Sequence, residues 1–423
     1  MTNPDVETIL IIGLSGAGLK TFNLLLDKLY PTCGSSGINR TIRIIVIEKS
    51  KMAYWPPGSL RAAVSPDFEK NIIGSFENVI PKRIKNDPEK SKNVMVITGV
   101  EVTKLDLEKK VAFLDQSLES FGLDGSELGF KFLVIATGSI YQFPCRISPT
   151  AQSPQEVETE LKSLQTQIES SKSILIAGGG VVGLEFAGEV SYRFSSTSNR
   201  KKITIVSSSP NILSDHSKYL ANSIKSQLLD RHVEIIYDYK VDLKAADITK
   251  TSKLDSLTTL NLVSNQDGST KTIEADFVFL AIGNKPNSSI IPGQYLNPET
   301  KRVAVNSYLQ VVSNESSEAL NGVYAVGDVS DFEESKLYAA LDGQAGVVSK
   351  NMMIDITEPS GEKSQKVIHK PIHGTISIPL GAYGGASEIF GFAIGLGPLA
   401  TSLAKGRNLF LWMFRSMYPD KPK

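Results

Sequence analysis

Cysteine is almost missing from this chain: Cys33 and Cys145 are the only two among 423 residues. Two thiols so far apart in sequence build neither a disulfide framework, nor a zinc cluster, nor a Cys-x-x-Cys redox pair, and they fit a reducing cytosolic setting. An excess of charge is missing too, since 45 Lys and Arg balance 45 Asp and Glu. No global field then recruits a polyanion, and nucleic acid is not an expected partner. A long apolar leader is also absent. The first apolar stretch, residues 9–12, is too short for a signal h-region and has no basic residues before it, so it reads as a buried strand. Thr2 and the terminal Lys-Pro-Lys carry no myristoylation or prenylation signal. The expected location is cytoplasmic, at most peripheral to a membrane.

What is present is apolar sequence in the amount a globular chain needs, 41% of 423 residues, and more length than one core normally covers. Apolar, β-rich runs stand at 9–12, 42–47, 132–135, 174–176, 203–206, 277–280 and 323–326, where parallel strands would lie. They fall into two sets, each opening as strand, helix, strand. Strand signals at 303–312 and 323–326 resume after the second set. The expected fold is therefore α/β, with two Rossmann-like dinucleotide-binding domains, the second inserted in the first, and a C-terminal region. The expected bounds are 1–148 with 292–350 for the first domain, 149–291 for the second and 351–423 for the tail. Residues 148–153 read as linker and 155–170 as an exposed helix.

The first unit reads Ile11-Ile12-Gly13-Leu14-Ser15-Gly16-Ala17-Gly18, a strand running into glycines that open a helix. Gly13 permits the tight turn, Gly18 permits close helix–strand packing, and the free N–H groups of the first helical turn suit a pyrophosphate. Ser15 stands where a second glycine is usual. Glu48 closes the next strand run and is placed for an adenosine ribose. Alone it would be an ordinary strand-end acid; behind this loop the ribose role is the reading taken. It lies 30 residues past Gly18 because 31–40 reads as an inserted loop.

The second unit, Gly178-Gly179-Gly180-Val181-Val182-Gly183-Leu184-Glu185, is the cleaner fingerprint. Its ribose position is Ser207-Ser208-Ser209 rather than an acid. Acceptance of NADPH as well as NADH is therefore open, with Arg200, Lys201 and Lys202 as poorly placed partners for an extra phosphate. Glu185 follows the loop closely enough to reach toward a nicotinamide; Glu189, one turn on, reads as a solvated or helix-facing acid. Thr137-Gly138 and Gly283 end two further strand runs, where small residues let the crossing chain pass close to a cofactor. Gly327-Asp328 ends another, with a carboxylate suited to a ribityl hydroxyl. A helix within 336–350 is expected to aim its N-terminus at the flavin pyrimidine ring.

In this order and spacing, Gly13–Gly18, Thr137-Gly138, Gly178–Glu189, Gly283 and Gly327-Asp328 resemble the two-dinucleotide-binding-domain flavoproteins, the glutathione-reductase-like enzymes and type II NADH dehydrogenases. The form of the first loop, the lack of a cysteine pair and the tail Leu403-Ala404-Lys405-Gly406-Arg407-Asn408-Leu409-Phe410 resemble the apoptosis-inducing-factor-like, ferroptosis-suppressor-type NAD(P)H:quinone oxidoreductases, particularly their fungal forms. The resemblance implies non-covalent FAD, hydride transfer from NADH or NADPH, and reoxidation by a quinone-like acceptor or oxygen. It places Gly13, Ser15, Gly16, Ala17 and Gly18 on the FAD pyrophosphate, Glu48 on its ribose, Val100 near its adenine, Arg61, Thr137, Gly138, Gly327 and Asp328 along its length, and Lys405 near the isoalloxazine. Gly178, Gly180, Val181, Val182, Gly183, Glu185 and Gly283 would serve the nicotinamide nucleotide. No metal is expected.

Flavin carries the hydride chemistry, so the catalytic candidates, Lys405 and Glu185, supply electrostatics and a proton. Lys405 is either held at the flavin or is a solvated tail lysine. The segment Tyr54-Trp55-Pro56-Pro57 departs from the polar or His-containing one expected of animal members, which puts the acceptor pocket in doubt. Residues 375–404 read as strand-and-turn structure packed over the flavin, not as a span. The apolar run 409–414 is read as buried against the body or in a homodimer, with docking to a membrane or lipid droplet as the other reading. A redox-gated signalling flavoprotein with slow NAD(P)H oxidation is the alternative function; a disulfide reductase lacks its cysteine pair, and no added signature marks a monooxygenase.

Overall fold

The structure, a computed structural model, describes residues 6–32, 38, 40–148, 150–358, 365–393 and 397–419. Cys33 and most of the 31–40 loop lie outside the described residues.

Runs in which both alternating sets of side chains are apolar cannot show water either face, so they belong in the middle of a covered parallel sheet. The strand Val6–Ile12 does this. It lies between Thr41–Glu48 and Phe132–Ile135, parallel to both. Ile9 and Ile11 face one core, shared with the helices Gly16–Leu29 and Ala340–Thr357, and Leu10 and Ile12 face another. Each fully buried aliphatic side chain contributes about 1.5–3 kcal/mol. The full sheet order is Gln310–Val312, Ala319–Ala325, Phe132–Ile135, Val6–Ile12, Thr41–Glu48, Val94–Thr98.

A second six-stranded sheet repeats the plan in the order Val233–Ile236, Lys202–Val206, Ser173–Ala177, Thr270–Leu280, Ser252–Ser264, Tyr239–Val241. Its first four strands are parallel and the last two antiparallel. The chain passes from one sheet to the other through Ser139–Ile140 and returns through Lys285–Pro286, and these two segments pair antiparallel. The crossing is tied by Asn287 N–H donating to Gly138 O at 2.9 Å and by Thr137 Oγ1 donating to Asn287 O at 2.6 Å.

Two readings are corrected by this arrangement. The helix Pro154–Ser170, capped by Ser153, is not simply exposed: Val157, Leu161, Leu164 and Ile168 form an i, i+4, i+7, i+11 stripe buried against the cores of both sheets. Residues 375–404 do not cover the first sheet's ligand edge. Their strand Ile376–Leu380 lies on the helix Val181–Arg193, because Gly188 leaves that helix flat, where a Cβ would stand 2.6 Å from Leu380 Cα, and Gly384–Ile389 lies on the helix Lys218–Asp230. Cover for the first sheet comes instead from the helix Leu411–Met417 and Tyr418, with Leu409, Leu411 and Phe414 buried and Trp412 61% exposed. Half of the 409–414 run is thus buried against the body. Among the described residues no helix is long and apolar enough to cross a membrane.

Candidate functional site

In an open α/β sheet, ligands collect outside the carboxyl ends of the strands. Read across the first sheet, those ends present Val100 after Val94–Thr98, Glu48 at the end of Thr41–Glu48, the Gly13–Ala17 loop after Val6–Ile12, Thr137 and Gly138 after Phe132–Ile135, and Gly327 and Asp328 after Ala319–Ala325. All of these positions except Leu14 line a single cavity of about 450 Å³. Gly13 has φ +95°, and a Cβ on it would stand 2.4 Å from Ala136 O. Gly18 packs behind the loop, where a Cβ would lie 1.9 Å from Gly13 O; it shapes the loop and does not itself line the cavity. The helix Gly16–Leu29 begins at an extended Ser15 whose side chain makes no capping bond, leaving its first N–H groups for a ligand. Glu48 is fixed at the strand end by the N–H groups of Leu14 (2.6 Å) and Ser50 (2.8 Å).

These residues fit FAD, and one atom points to an anionic group in particular. Arg146 lines the same cavity, and its Nε is buried with no hydrogen-bond partner. A buried guanidinium donor left unpaired is costly, and a phosphate or an anionic ring would satisfy it.

One wall of the cavity, against the Gly13–Ala17 loop, is aromatic: a Cβ on Gly16 would lie 2.7 Å from the Tyr338 ring. Trp55 meets Tyr338 edge-on at 5.0 Å between ring centroids and Phe414 at 5.5 Å, and Phe414 meets Tyr418 at 5.1 Å. Trp55 Nε1 donates to Leu409 O at 2.7 Å and the Tyr418 hydroxyl to Leu14 O at 3.0 Å, which pins the tail across the cavity. Burial pushes the Tyr338 and Tyr418 phenols well up and the Cys145 thiol up to about 12, so all three stay neutral. Sequence reasoning passed over Tyr338, Met417, Tyr418 and Arg146, all of which line this space; the only trace was the aromatic character of the segments just before and after the two terminal helices.

Gly327 N–H donates to Gln344 Oε1 at 2.6 Å, Gln344 Nε2 donates to Glu334 Oε1, and His369 Nε2 lies 2.9 Å from the same oxygen. A buried polar chain thus links the Gly327-Asp328 turn to the segment that follows residue 364.

Glu185 lines the cavity from the second unit's helix. Burial raises its pKa, while Lys405, with Nζ 2.8 Å from Oε1, pulls it back down. Lys405 also donates to Ser377 O at 3.0 Å. It is an anchored lysine, not a solvated one, and it reaches the cavity through Glu185 without lining it. The expectation for Arg61 is corrected. Its guanidinium turns away from the cavity to a bidentate pair with Glu189, at 2.8 and 3.0 Å, with both side chains under a tenth exposed. Glu189 is accordingly not solvated; it is the carboxylate that neutralises a buried arginine.

In the second unit Gly178 has φ +123° and would place a Cβ 2.2 Å from Ala281 O, and Gly183 would place one 2.1 Å from Gly178 O. Gly178, Gly180 and Val181 line a second cavity of about 560 Å³ at that sheet's carboxyl edge, whereas Val182 lines the first. The first turn of the helix Val181–Arg193 therefore stands between the two cavities. Gly283, at φ +89°, lines neither, although its neighbour Ile282 lines the second. Arg200, Lys201 and Lys202 are at the wrong end: Lys202 begins the strand Lys202–Val206, and Lys201 is 7% exposed, bonded to Glu169 O and stacked on Phe194.

The family described as pyridine nucleotide-disulphide oxidoreductase matches residues 8–346. Apoptosis-inducing factor homolog A of Dictyostelium discoideum is 28% identical over 424 residues, covering 98% of this chain and 92% of that protein. Ferroptosis suppressor protein 1 of Taeniopygia guttata is 26% identical and covers 88% of this chain and 95% of its own length. Among solved structures, the sulfide:quinone oxidoreductase of Aquifex aeolicus superposes with a TM-score of 0.60 at 16% identity, over 84% of this chain and 78% of that one.

Proposed function

This chain belongs to the pyridine nucleotide-disulphide oxidoreductase family and is an apoptosis-inducing-factor-like, FAD-dependent NAD(P)H oxidoreductase; from that premise we propose that its electrons leave to a quinone-type acceptor and not to a disulfide. The observation that carries the reading is the aromatic wall of the first cavity. A planar, lipophilic acceptor suits a wall made by Trp55, Tyr338 and Tyr418. A disulfide substrate needs a reactive thiolate beside the flavin, and the cavity's Cys145 is a neutral thiol.

We divide the labour as follows. Residues 1–148 and 292–350 hold FAD, 149–291 hold NAD(P)H, and 351–423 cover the cavity and brace the second helix. When bound, FAD supplies the hydride acceptor and the route for electrons to leave. The Gly13–Gly18 loop holds the pyrophosphate against the open helix N-terminus, Glu48 takes the ribose, Val100 bounds the adenine, and Thr137, Gly138, Gly327 and Asp328 line the length between. Gly178, Gly180 and Gly183 present the second dinucleotide, and Val182 with Glu185 brings it to the shared wall. Lys405 keeps a positive charge at Glu185, so the pair can hold or release a proton where charge develops.

The test is anaerobic reduction by NADH or NADPH followed by mixing with a short-chain quinone or with an oxidised dithiol. Reoxidation by the quinone should be at least about a hundredfold faster. A reduced protein that neither acceptor oxidises, and that only oxygen slowly reoxidises, overturns the acceptor and favours a redox-gated signalling role. Lys405→Met should lower quinone-dependent turnover about tenfold or more and move the pH at which Glu185 loses its proton upward, since Lys405 is what pulls that value down. Lys405→Arg should restore both. An unchanged pH profile in Lys405→Met would leave Lys405 a brace and nothing more.

A further inference from the structure

The two units can be laid on each other residue by residue. Ile12 pairs with Ile47 and Ala177 with Val206; Gly13 N–H donates to Ile47 O and Gly178 N–H to Val206 O, both at 2.9 Å. The next residue in each second strand is therefore the same position, and it is Glu48 in the first unit and Ser207 in the second. An acid at this place takes both ribose hydroxyls and repels a phosphate on one of them. Ser207 removes that repulsion, and Gly179 closes on it, for a Cβ there would lie 2.7 Å from Ser207 Cβ.

The turn that follows is held open. The Tyr239 N–H donates to Ser207 O at 3.1 Å, Asp238 N–H to Ser209 O at 3.4 Å, and Asn265 Nδ2 to Ser208 O at 2.6 Å. Its carbonyls, which would face an anion badly, are thus occupied by donors from residues 238–239 and from Asn265. The exposed Ser208 hydroxyl takes part in no hydrogen bond among the described residues. The strand that Tyr239 begins, Tyr239–Val241, carries Lys240 one residue past the Tyr239 contact. Lys240 lines the second cavity with Ser207, Ser208 and Ser209, is exposed, and forms no ion pair among the described residues. An ammonium without an ion pair among the described residues, a free hydroxyl and a missing acid thus share one cavity.

We propose that Lys240, with the Ser207–Ser209 turn, is the specificity element that lets this protein use NADPH. The inference rests on the oxidoreductase reading above and sharpens its donor. The cavity also contains the exposed carboxylate of Asp215, which would favour NADH if it took the ribose diol in place of the absent acid, so the experiment separates the two.

Binding of adenosine 2′,5′-bisphosphate and of AMP to the full-length protein is measured by calorimetry, which needs no flavin chemistry. In parallel, the rate of flavin bleaching is followed against NADH and NADPH. The bisphosphate should bind about tenfold or more tightly than AMP, and NADPH should be at least as effective as NADH. Lys240→Ala should shift the NADPH-to-NADH preference about tenfold toward NADH, with Lys240→Arg keeping it. Ser207→Glu, which copies the first unit, should shift it further in the same direction. Equal binding of AMP and the bisphosphate, or a Lys240→Ala loss equal for both donors, overturns the assignment. So does a gain of NADPH use in Asp215→Asn with no effect of Lys240→Ala. A flavin that neither donor bleaches, in a protein that still prefers the bisphosphate, would instead sink the oxidoreductase reading and leave the phosphate site standing.

Discussion

The two nucleotide units share a frame and differ in how they are finished. Both place a positive-φ glycine at the end of the first strand, against the carbonyl of a small residue in a neighbouring strand: Gly13 against Ala136, Gly178 against Ala281. Both bring a second glycine into contact with the first. From there they diverge. The first unit has an acid tied to the loop, an orphaned arginine and a tail locked across it by Trp55 and Tyr418. The second has a serine turn, an unpaired lysine and no such cover among the described residues. A site with a tail pinned across it suits a resident cofactor; a site without one suits a nucleotide that must arrive and leave with each turnover.

The sharpest way to break this contrast is to damage the same glycine in each unit. Gly13→Ala and Gly178→Ala both force a Cβ to within 2.4 Å of a backbone oxygen at a φ that L-residues avoid, a strain of about 4 kcal/mol or more at either place. The outcomes should differ in kind. Gly13→Ala should purify colourless or unfolded, whereas Gly178→Ala should stay yellow and lose bleaching by NADH and NADPH by about a hundredfold or more. Absorption spectra of the two proteins decide this. If both keep their flavin, the assignment of the units is wrong.

A gentler exchange asks how much of the first unit's grip depends on its acid. Glu48→Ser installs the second unit's residue. It removes the carboxylate that accepts the Leu14 and Ser50 N–H groups and would accept the ribose, so FAD affinity should fall about ten- to hundredfold. Flavin retained on dilution and gel filtration measures it. An undiminished affinity would mean that the pyrophosphate loop and Arg146 alone distinguish a resident from a passing nucleotide.

How much of this was visible in the sequence follows from how local each cause is. The central strands were visible because burial on both faces demands an unbroken apolar run, and the loops because their backbone geometry demands glycine. The Arg61–Glu189 pair was not, since its partners are 128 residues apart and nothing in the i, i+4 spacing of Glu185 and Glu189 names an arginine. The cationic candidates beside Ser207 were sought in the adjacent 200–202 segment, but a strand carries its neighbours to opposite ends of the sheet; Lys240, 33 residues later, arrives just past Val233–Ile236, the strand that pairs with Lys202–Val206. The C-terminal region was judged by hydropathy, which shows that residues are buried without showing against what, so its sheet was placed over the wrong unit.

The smallest expected effect concerns what ties the tail to the first unit and leaves the second alone. Glu334 has a fully buried side chain and joins His369 and the Ile372 N–H of the C-terminal segment to Gln344, which holds Gly327. Burial alone would raise its pKa. The hydrogen bonds from His369, Gln344 and Ile372 outweigh it and leave the pKa below its ordinary 4.5. A carboxyl depressed in the folded state stabilises it at every pH above 4.5, and the contribution disappears as the pH falls through the lowered value. Thermal unfolding followed from pH 7 downward should therefore show a loss in the wild type below pH 4.5 that is smaller in Glu334→Gln. At neutral pH the variant should already be destabilised by about 1–3 kcal/mol, because a neutral amide cannot accept from all three donors as the carboxylate does. If the two proteins instead unfold alike at every pH, Glu334 contributes nothing and the tail is held by packing alone. The first unit's cover would then owe its permanence to Trp55, Phe414 and Tyr418, and the contrast with the second unit would rest on apolar area and not on a buried charge.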